Sequence, residues 1–199
     1  MNGLYSLGKI IFRLQFGVMG WKIYGLENIP QNGPVILVSN HVSMWDPVVA
    51  GAAVPRPIFF MAKEELFRNK FLAALFRRLG GFPVKRGQGD TNAIRHSLKL
   101  LKEGKVLGLF PEGTRSKSGE LLKGLPGMIL LMEKSQAPIV PVKINGTKNL
   151  LTKGWRNIEV IIGEPIYPGQ LKAPEGVENR REWAADQVMK AIDNLKSHN

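Results

Sequence analysis

Apolar and polar positions divide this 199-residue chain into helix-period and strand-length stretches. Over residues 4–21 the polar or small residues Ser6, Lys9, Arg13, Gly17 and Gly20 recur at helical spacing as one narrow stripe, and nearly all the rest is apolar. A helix of this length spans roughly 27 Å, short of a ~30 Å hydrocarbon core, and it carries two charges in its middle. The predicted element is therefore an amphipathic helix lying in a membrane interface, with Lys9, Arg13 and Lys22 near headgroups. A core helix packed on the domain is the alternative. No basic residue precedes the stretch and no small-x-small cleavage site follows it, which argues against a cleaved signal peptide.

Beyond a loop over residues 24–33, with Gly25, Pro30 and Asn32-Gly33, apolar runs of strand length occur at 35–40, 58–61, 106–110, 139–144 and 158–162. Within the fourth, Pro141 predicts a bulge or a sheet edge. Helical patterns lie between and after the runs. One covers 64–79, with Phe67, Phe71, Leu72, Leu75, Phe76 and Leu79 on a broad face. Another starts at Asp90 or Thr91 and stops at Gly104, with His96 off its apolar stripe and read as solvated. A segment over 123–135 places Met128, Ile129, Leu131 and Met132 in the core by default, and a last helix covers about 178–196. Strands alternating with helices predict an α/β domain over residues 24–199 behind an N-terminal helix over 1–23. No repeat or linker divides the chain.

Composition narrows the partners. Lys plus Arg number 28 against 16 Asp plus Glu, a net charge of +12, which favours phosphate or carboxylate partners: nucleic acid, an anionic membrane, or a phosphorylated small molecule. The basic residues are scattered, one group being Lys148, Lys153 and Arg156 around Trp155, and no nucleic-acid-binding motif accompanies them. The absence of cysteine excludes disulfides and a thiolate nucleophile, and three histidines make a zinc site a poor reading.

Two stretches carry candidate chemistry. In Asn40-His41-Val42-Ser43-Met44-Trp45-Asp46-Pro47, the imidazole and the carboxylate are five residues apart. On a continuous helix they would sit about 140° apart and could not meet. They can meet only across a bend, with His41 at a strand end and Asp46 before Pro47 as a natural N-cap. One reading is a general base held in one tautomer by its orienting carboxylate. The other is a capping aspartate and an ordinary loop histidine. The second stretch, Phe110-Pro111-Glu112-Gly113-Thr114-Arg115-Ser116, leaves a strand end, where α/β sheets gather their sites. Arg115 offers a planar fork suited to phosphate, against the alternative of a solvated polar loop. Glu112 stands open between a structural cap and a substrate contact. Gly87-Gln88-Gly89 is only a weak phosphate-cradle signal.

Taken together and in order, Asn40-His41 with Asp46-Pro47, the stretch Gly80-Gly81-Phe82-Pro83-Val84-Lys85-Arg86, residues 110–116, and residues 139–144 resemble the glycerolipid acyltransferases, in particular the bacterial lysophosphatidate acyltransferases. The resemblance runs over roughly residues 24–165. It implies His41 as base and Asp46 as its orienter, Arg86 and Arg115 as phosphate ligands, and Glu112, Gly113 and Thr114 in the acceptor-binding loop. It implies a mixed sheet flanked by helices, with an N-terminal element docked peripherally on the cytoplasmic face of the cell membrane. The expected reaction moves a fatty acyl group from coenzyme A or acyl carrier protein to lysophosphatidate, with no metal or other cofactor. Another lysolipid or glycerol 3-phosphate as acceptor, or a non-catalytic basic membrane protein, stand as the competing readings.

Overall fold

The computed structural model describes residues 3–85, 89–148 and 157–196. Its strands are β1 (Lys22–Tyr24), β2 (Val35–Ser39), β3 (Ile58–Lys63), β4 (Gly81–Val84), β5 (Val106–Leu109), β6 (Ile139–Asn145) and β7 (Glu159–Ile162). They form one sheet in the order β1-β7-β6-β2-β5-β3-β4. β2, β3, β4, β5 and β6 are parallel, whereas β7 returns antiparallel to β6 and carries β1 beside it. The mixed α/β sheet expected from the sequence is thus present. β1 was not expected, because three residues next to a helix show no periodicity of their own.

Helices α1 (Gly3–Val18) and α2 (Asp46–Ala53) cover one face of the sheet, and α4 (Thr91–Lys102), α5 (Gly127–Ser135) and α6 (Arg180–Asn194) cover the other. The period-2 geometry of a strand sorts β2 between them. Val35 and Leu37 pack with Phe16, Val49, Ala50 and Ala53, while Ile36 and Val38 pack with Leu101, Met128, Leu131 and Ile192. With both faces covered, β2 is buried at every position, which is why it reads as a continuous apolar run. Burial contributes about 1.5–3 kcal/mol for each large side chain of this kind. Met128, Ile129, Leu131 and Met132 are all core residues, as their default reading had it.

Three local expectations are corrected. The helix predicted over 64–79 is two elements, a 3-10 turn (Glu64–Phe67) and α3 (Lys70–Arg78). Asn69 separates them: its backbone is extended and its side-chain oxygen accepts from the Phe71 and Leu72 amides, the competition with helix that makes asparagine a capping residue. Pro141 lies in an interior strand, opposite Val38 of β2, not at a bulge or sheet edge. Its carbonyl accepts from Gly163, so its nitrogen faces the β7 side just past the last β6–β7 pair, Val142 with Ile162, where the ladder needs no donor.

The third correction concerns the orientation of α1. Its predicted headgroup ligand Lys9 points inward, donating to the carbonyls of Val54 (2.6 Å) and Pro55 (2.7 Å) beyond α2. Burial and the nearby Arg13 lower its pKa. Tyr5 also turns in, and its hydroxyl oxygen accepts from the Ile58 amide, 3.0 Å away. Leu7, Ile10, Ile11, Leu14 and Val18 face outward, Leu14 at 67% exposure and Val18 at 91%. The pattern of two faces was legible, but the inward one is anchored by polar bonds plus Phe12 and Phe16. Among the described residues no helix is long and apolar enough to cross a membrane.

Gly108 of β5 sits where a side chain would collide: an added Cβ would lie 2.3 Å from the Phe60 ring and 2.7 Å from Ile58 Cγ2. Phe60 is itself stacked on Phe110, with centroids 5.5 Å apart. Gly108→Ala is therefore expected to overpack this layer and lower stability by about 1–3 kcal/mol in urea unfolding. An unshifted unfolding midpoint would show that the ring layer yields freely.

Candidate active site

β2 delivers Asn40 and His41 at its carboxyl end. The Asn40 side chain continues the sheet where backbone pairing stops, with its Nδ2 donating to the Ile144 carbonyl (2.9 Å) and its Oδ1 accepting from the Ile144 amide (2.8 Å). The chain then turns sharply, and α2 starts at Asp46-Pro47, where the missing proline N–H is no loss. The turn brings the pair together: His41 Nδ1 lies 2.8 Å from Asp46 Oδ2. Asp46 is the first residue of α2, preceded by Trp45 in the capping position, and its carboxylate reaches backward instead of capping the helix as predicted.

That carboxylate is fully buried and heavily hydrogen-bonded. Oδ2 accepts from the Val42 and Ser43 amides, each at 2.8 Å, as well as meeting the His41 ring. Oδ1 accepts from the Thr147 hydroxyl at 2.6 Å. A buried carboxylate with this many donors has its charge compensated locally. The imidazole is also supported from one side: its ring stacks on Phe110 with centroids 4.1 Å apart and planes 20° apart. With Nδ1 held by Asp46, Nε2 is the nitrogen left to meet a substrate.

The loop after β5 is joined to His41 through the backbone. The His41 amide donates to Glu112 Oε1 (2.8 Å), and its carbonyl accepts from the Ser116 amide (2.8 Å). These two bonds bracket Gly113, Thr114 and Arg115. Glu112 is turned inward, its second oxygen accepting from the Leu122 amide at 3.2 Å, and burial raises its pKa despite those donors. Gly113 takes φ +68, a conformation suited to glycine, and its amide closes the turn onto the Phe110 carbonyl. Thr114 and Arg115 are exposed.

Arg115 and His41 line one groove of about 460 Å³ on the α1/α2 face. The groove runs along β3 from the carboxyl ends of the strands toward Ile58, between Phe12 and Val48 on one side and Leu66, Phe76 and Leu79 on the other. Its walls are largely apolar; His41, Lys63 and Arg115 contribute polar groups, and Tyr5 and Lys9 contribute others from α1. An imidazole held by a carboxylate, a guanidinium and a long apolar trough are thus parts of a single site. Arg86 lies outside the described residues, as do Lys153, Trp155, Arg156 and His198. Among the described residues no group of three His, Asp or Glu is placed to hold a metal ion.

A family profile described as Acyltransferase matches residues 20–145. The chain belongs to the acyltransferase family. The acyltransferase is 33% identical over 193 residues to the 1-acyl-sn-glycerol-3-phosphate acyltransferase of Bacillus subtilis, a match that covers 94% of this chain and 93% of that one. It is 30% identical over 203 residues to the protein of the same name from Borreliella burgdorferi, covering 96% and 80%. Its fold matches the crystal structure of the 1-acyl-sn-glycerophosphate (LPA) acyltransferase PlsC from Thermotoga maritima with a TM-score of 0.72 and 27% identity, over 98% of this chain and 81% of that one.

Two parts of the acyltransferase site carry no signal in the sequence. Thr147 follows an Asn145-Gly146 turn and looks like any loop threonine, yet it is completely buried against a carboxylate 101 residues away. Phe110 reads as the last residue of an apolar run, and only the fold makes it the floor under His41. The Thr147 bond yields a direct prediction. Thr147→Val keeps the shape but leaves Asp46 Oδ1 without its hydroxyl donor, so stability should fall by about 1–3 kcal/mol and turnover should drop with it. Thr147→Ser should retain both, and urea unfolding with steady-state kinetics on the two variants reads the difference.

Proposed function

We propose that this acyltransferase moves a fatty acyl group from an acyl thioester to the sn-2 hydroxyl of lysophosphatidate, forming phosphatidate. The observation that carries the reading is the placement of His41 and Arg115 on one apolar groove. An acceptor that needs a base, a cation and an apolar trough at once is a hydroxylated, phosphorylated lipid. The Bacillus and Borreliella relatives are named for the same acceptor.

In the proposed reaction the phosphate of the acceptor rests on the Arg115 guanidinium, whose fork geometry suits two oxygens. Arg86 is proposed as a further phosphate ligand on the strength of the family resemblance. His41 Nε2 takes the hydroxyl proton as the oxygen attacks the thioester carbonyl, and Asp46 stabilises the imidazolium that forms. The tetrahedral intermediate then collapses, the carbon–sulfur bond breaks, and the proton on His41 passes to the departing thiolate. Transfer is direct, since the sequence has neither a cysteine nor a GxSxG elbow to carry an acyl-enzyme. The groove along β3, within the usual ~300–1,000 Å³ of a ligand pocket, holds acyl chain. Coenzyme A and acyl carrier protein are both anionic carriers suited to a chain of net charge +12. The outward apolar side of α1 is proposed to rest in the interface of an anionic membrane, at its cytoplasmic face.

His41→Ala should lower turnover by about 10²–10⁴ with an unchanged circular dichroism spectrum. Arg115→Ala should act chiefly on KM for lysophosphatidate, by the about 1.5–3 kcal/mol of a charge-assisted hydrogen bond, and leave a phosphate-free monoacylglycerol as poor an acceptor as before. The decisive assay supplies purified protein with lysophosphatidate, another lysolipid or glycerol 3-phosphate, each with acyl thioesters on both carriers. Phosphatidate as the dominant product supports the reading, and preference for another acceptor overturns it.

A further inference from the structure

The groove has two banks, and the second is apolar on its outside like the first. One bank is α1, which supplies Tyr5, Lys9 and Phe12 to the lining; the other is the 3-10 turn with α3, which supplies Leu66, Phe76 and Leu79. α3 is nine residues long and buries only Ala73. Phe71 is 87% exposed, and Leu72 and Leu75 are exposed at 46% and 42%. Residues 71, 72 and 75 share one side of a helix, so this is a continuous apolar face.

Charge surrounds that face. Arg68 and Lys70 stand before and at the start of α3, and Arg77 and Arg78 stand at its end. Lys70 is the first residue of the helix, where the dipole favours an anion, and no acidic side chain occupies the first turn. A cation there works against the helix and needs another reason. The neighbouring acids Glu64 and Glu65 are matched by Lys85 (4.0 Å) and Lys63 (3.0 Å), and the Arg77 guanidinium sits over the Phe67 ring. Among the described residues, Lys70 and Arg78 take part in no ion pair.

Apolar side chains rimmed by cations complement an anionic bilayer, acyl chains receiving the first and phosphate headgroups the second. A second copy of this chain is the poorer fit. A stable protein interface takes about 800 Å² from each partner, whereas α3 is only about 13 Å long.

We propose that α3 is a second membrane-docking element, so that α1 and α3 seat the two banks of the groove on an anionic lipid surface. The proposal rests on the lysophosphatidate reading for its purpose, since a groove straddled in this way admits a lipid acceptor from the bilayer without passage through water. Its physical basis is the exposed face and its charged rim.

The test is flotation of the full chain with vesicles of phosphatidylcholine alone or mixed with phosphatidylglycerol. Phe71→Ser with Leu75→Ser should lower partitioning at least about tenfold, the least expected from withholding a phenylalanine and a leucine from an apolar phase. Turnover of acceptor dispersed in detergent should stay at the wild-type level, because neither residue lines the groove. Lys70→Glu with Arg78→Glu should weaken binding to the mixed vesicles and leave the neutral ones unaffected; both residues are exposed, and this pair serves if the first variant fails to fold. Wild-type flotation by both variants overturns the proposal. So does a wild-type dimer that the first variant splits while flotation is unchanged, since the face would then be a protein interface. A chain that converts lysophosphatidate without floating overturns the docking and spares the reaction. Flotation that depends on α3, in a chain that does not acylate lysophosphatidate, upholds the docking and removes the acceptor.

Discussion

The buried carboxylate of Asp46 is the constraint on which the site depends. An ionised group removed from water is tolerated only where donors replace its hydration, and here the donors come from the His41 ring, the Val42 and Ser43 amides, and the Thr147 hydroxyl. They belong to three parts of the chain: the exit from β2, the turn into α2, and the segment after β6. Meeting the needs of one carboxylate therefore fixes three backbone segments relative to one another. The tautomer and aim of the imidazole follow from that arrangement, so stability and chemistry rest on the same bonds.

Two neighbouring side chains extend the principle. Asn40 substitutes for a strand residue against Ile144, and Glu112 ties the His41 amide to Leu122. Each places a side-chain acceptor where a backbone donor would otherwise end in the interior without a partner. Below them, Phe60, Phe110 and His41 form a continuous stack of rings, and Gly108 is bare because the lowest ring occupies the space of its side chain. Packing of the sheet is thereby transmitted to the imidazole. Arg115 and Thr114, by contrast, stay exposed on a loop held at both sides by the Glu112 and Ser116 bonds to His41.

The helices flanking the groove invert the usual relation between pattern and burial. In α1 the polar side chains of Tyr5 and Lys9 bond the protein while Leu7, Ile10, Leu14 and Val18 face out. In α3 the predicted broad face is mostly exposed, with Ala73 as its one buried residue. Apolar residues held outward on both banks of an apolar trough make sense for a protein whose acceptor is itself amphipathic. They would be a liability on a surface that met only water.

By itself the sequence determined what acts over a few residues: the buried runs of β2, β3, β5, β6 and β7, the Asp90 cap, the Gly104 stop, and the need for His41 and Asp46 to meet across a bend. Four stretches in order were enough to place the chain beside a family. Only the tertiary structure decided which side of α1 faces inward, why Pro141 is tolerated in an interior strand, that Glu112 turns into the protein, and that Thr147 completes the Asp46 site. The reason is distance along the chain. Periodicity shows that a helix has two faces but not what lies against either, and the bonds that build the site join residues 71, 101 and 104 positions apart. Those residues meet only because the sheet sets β6 beside β2 and brings the loop after β5 against His41.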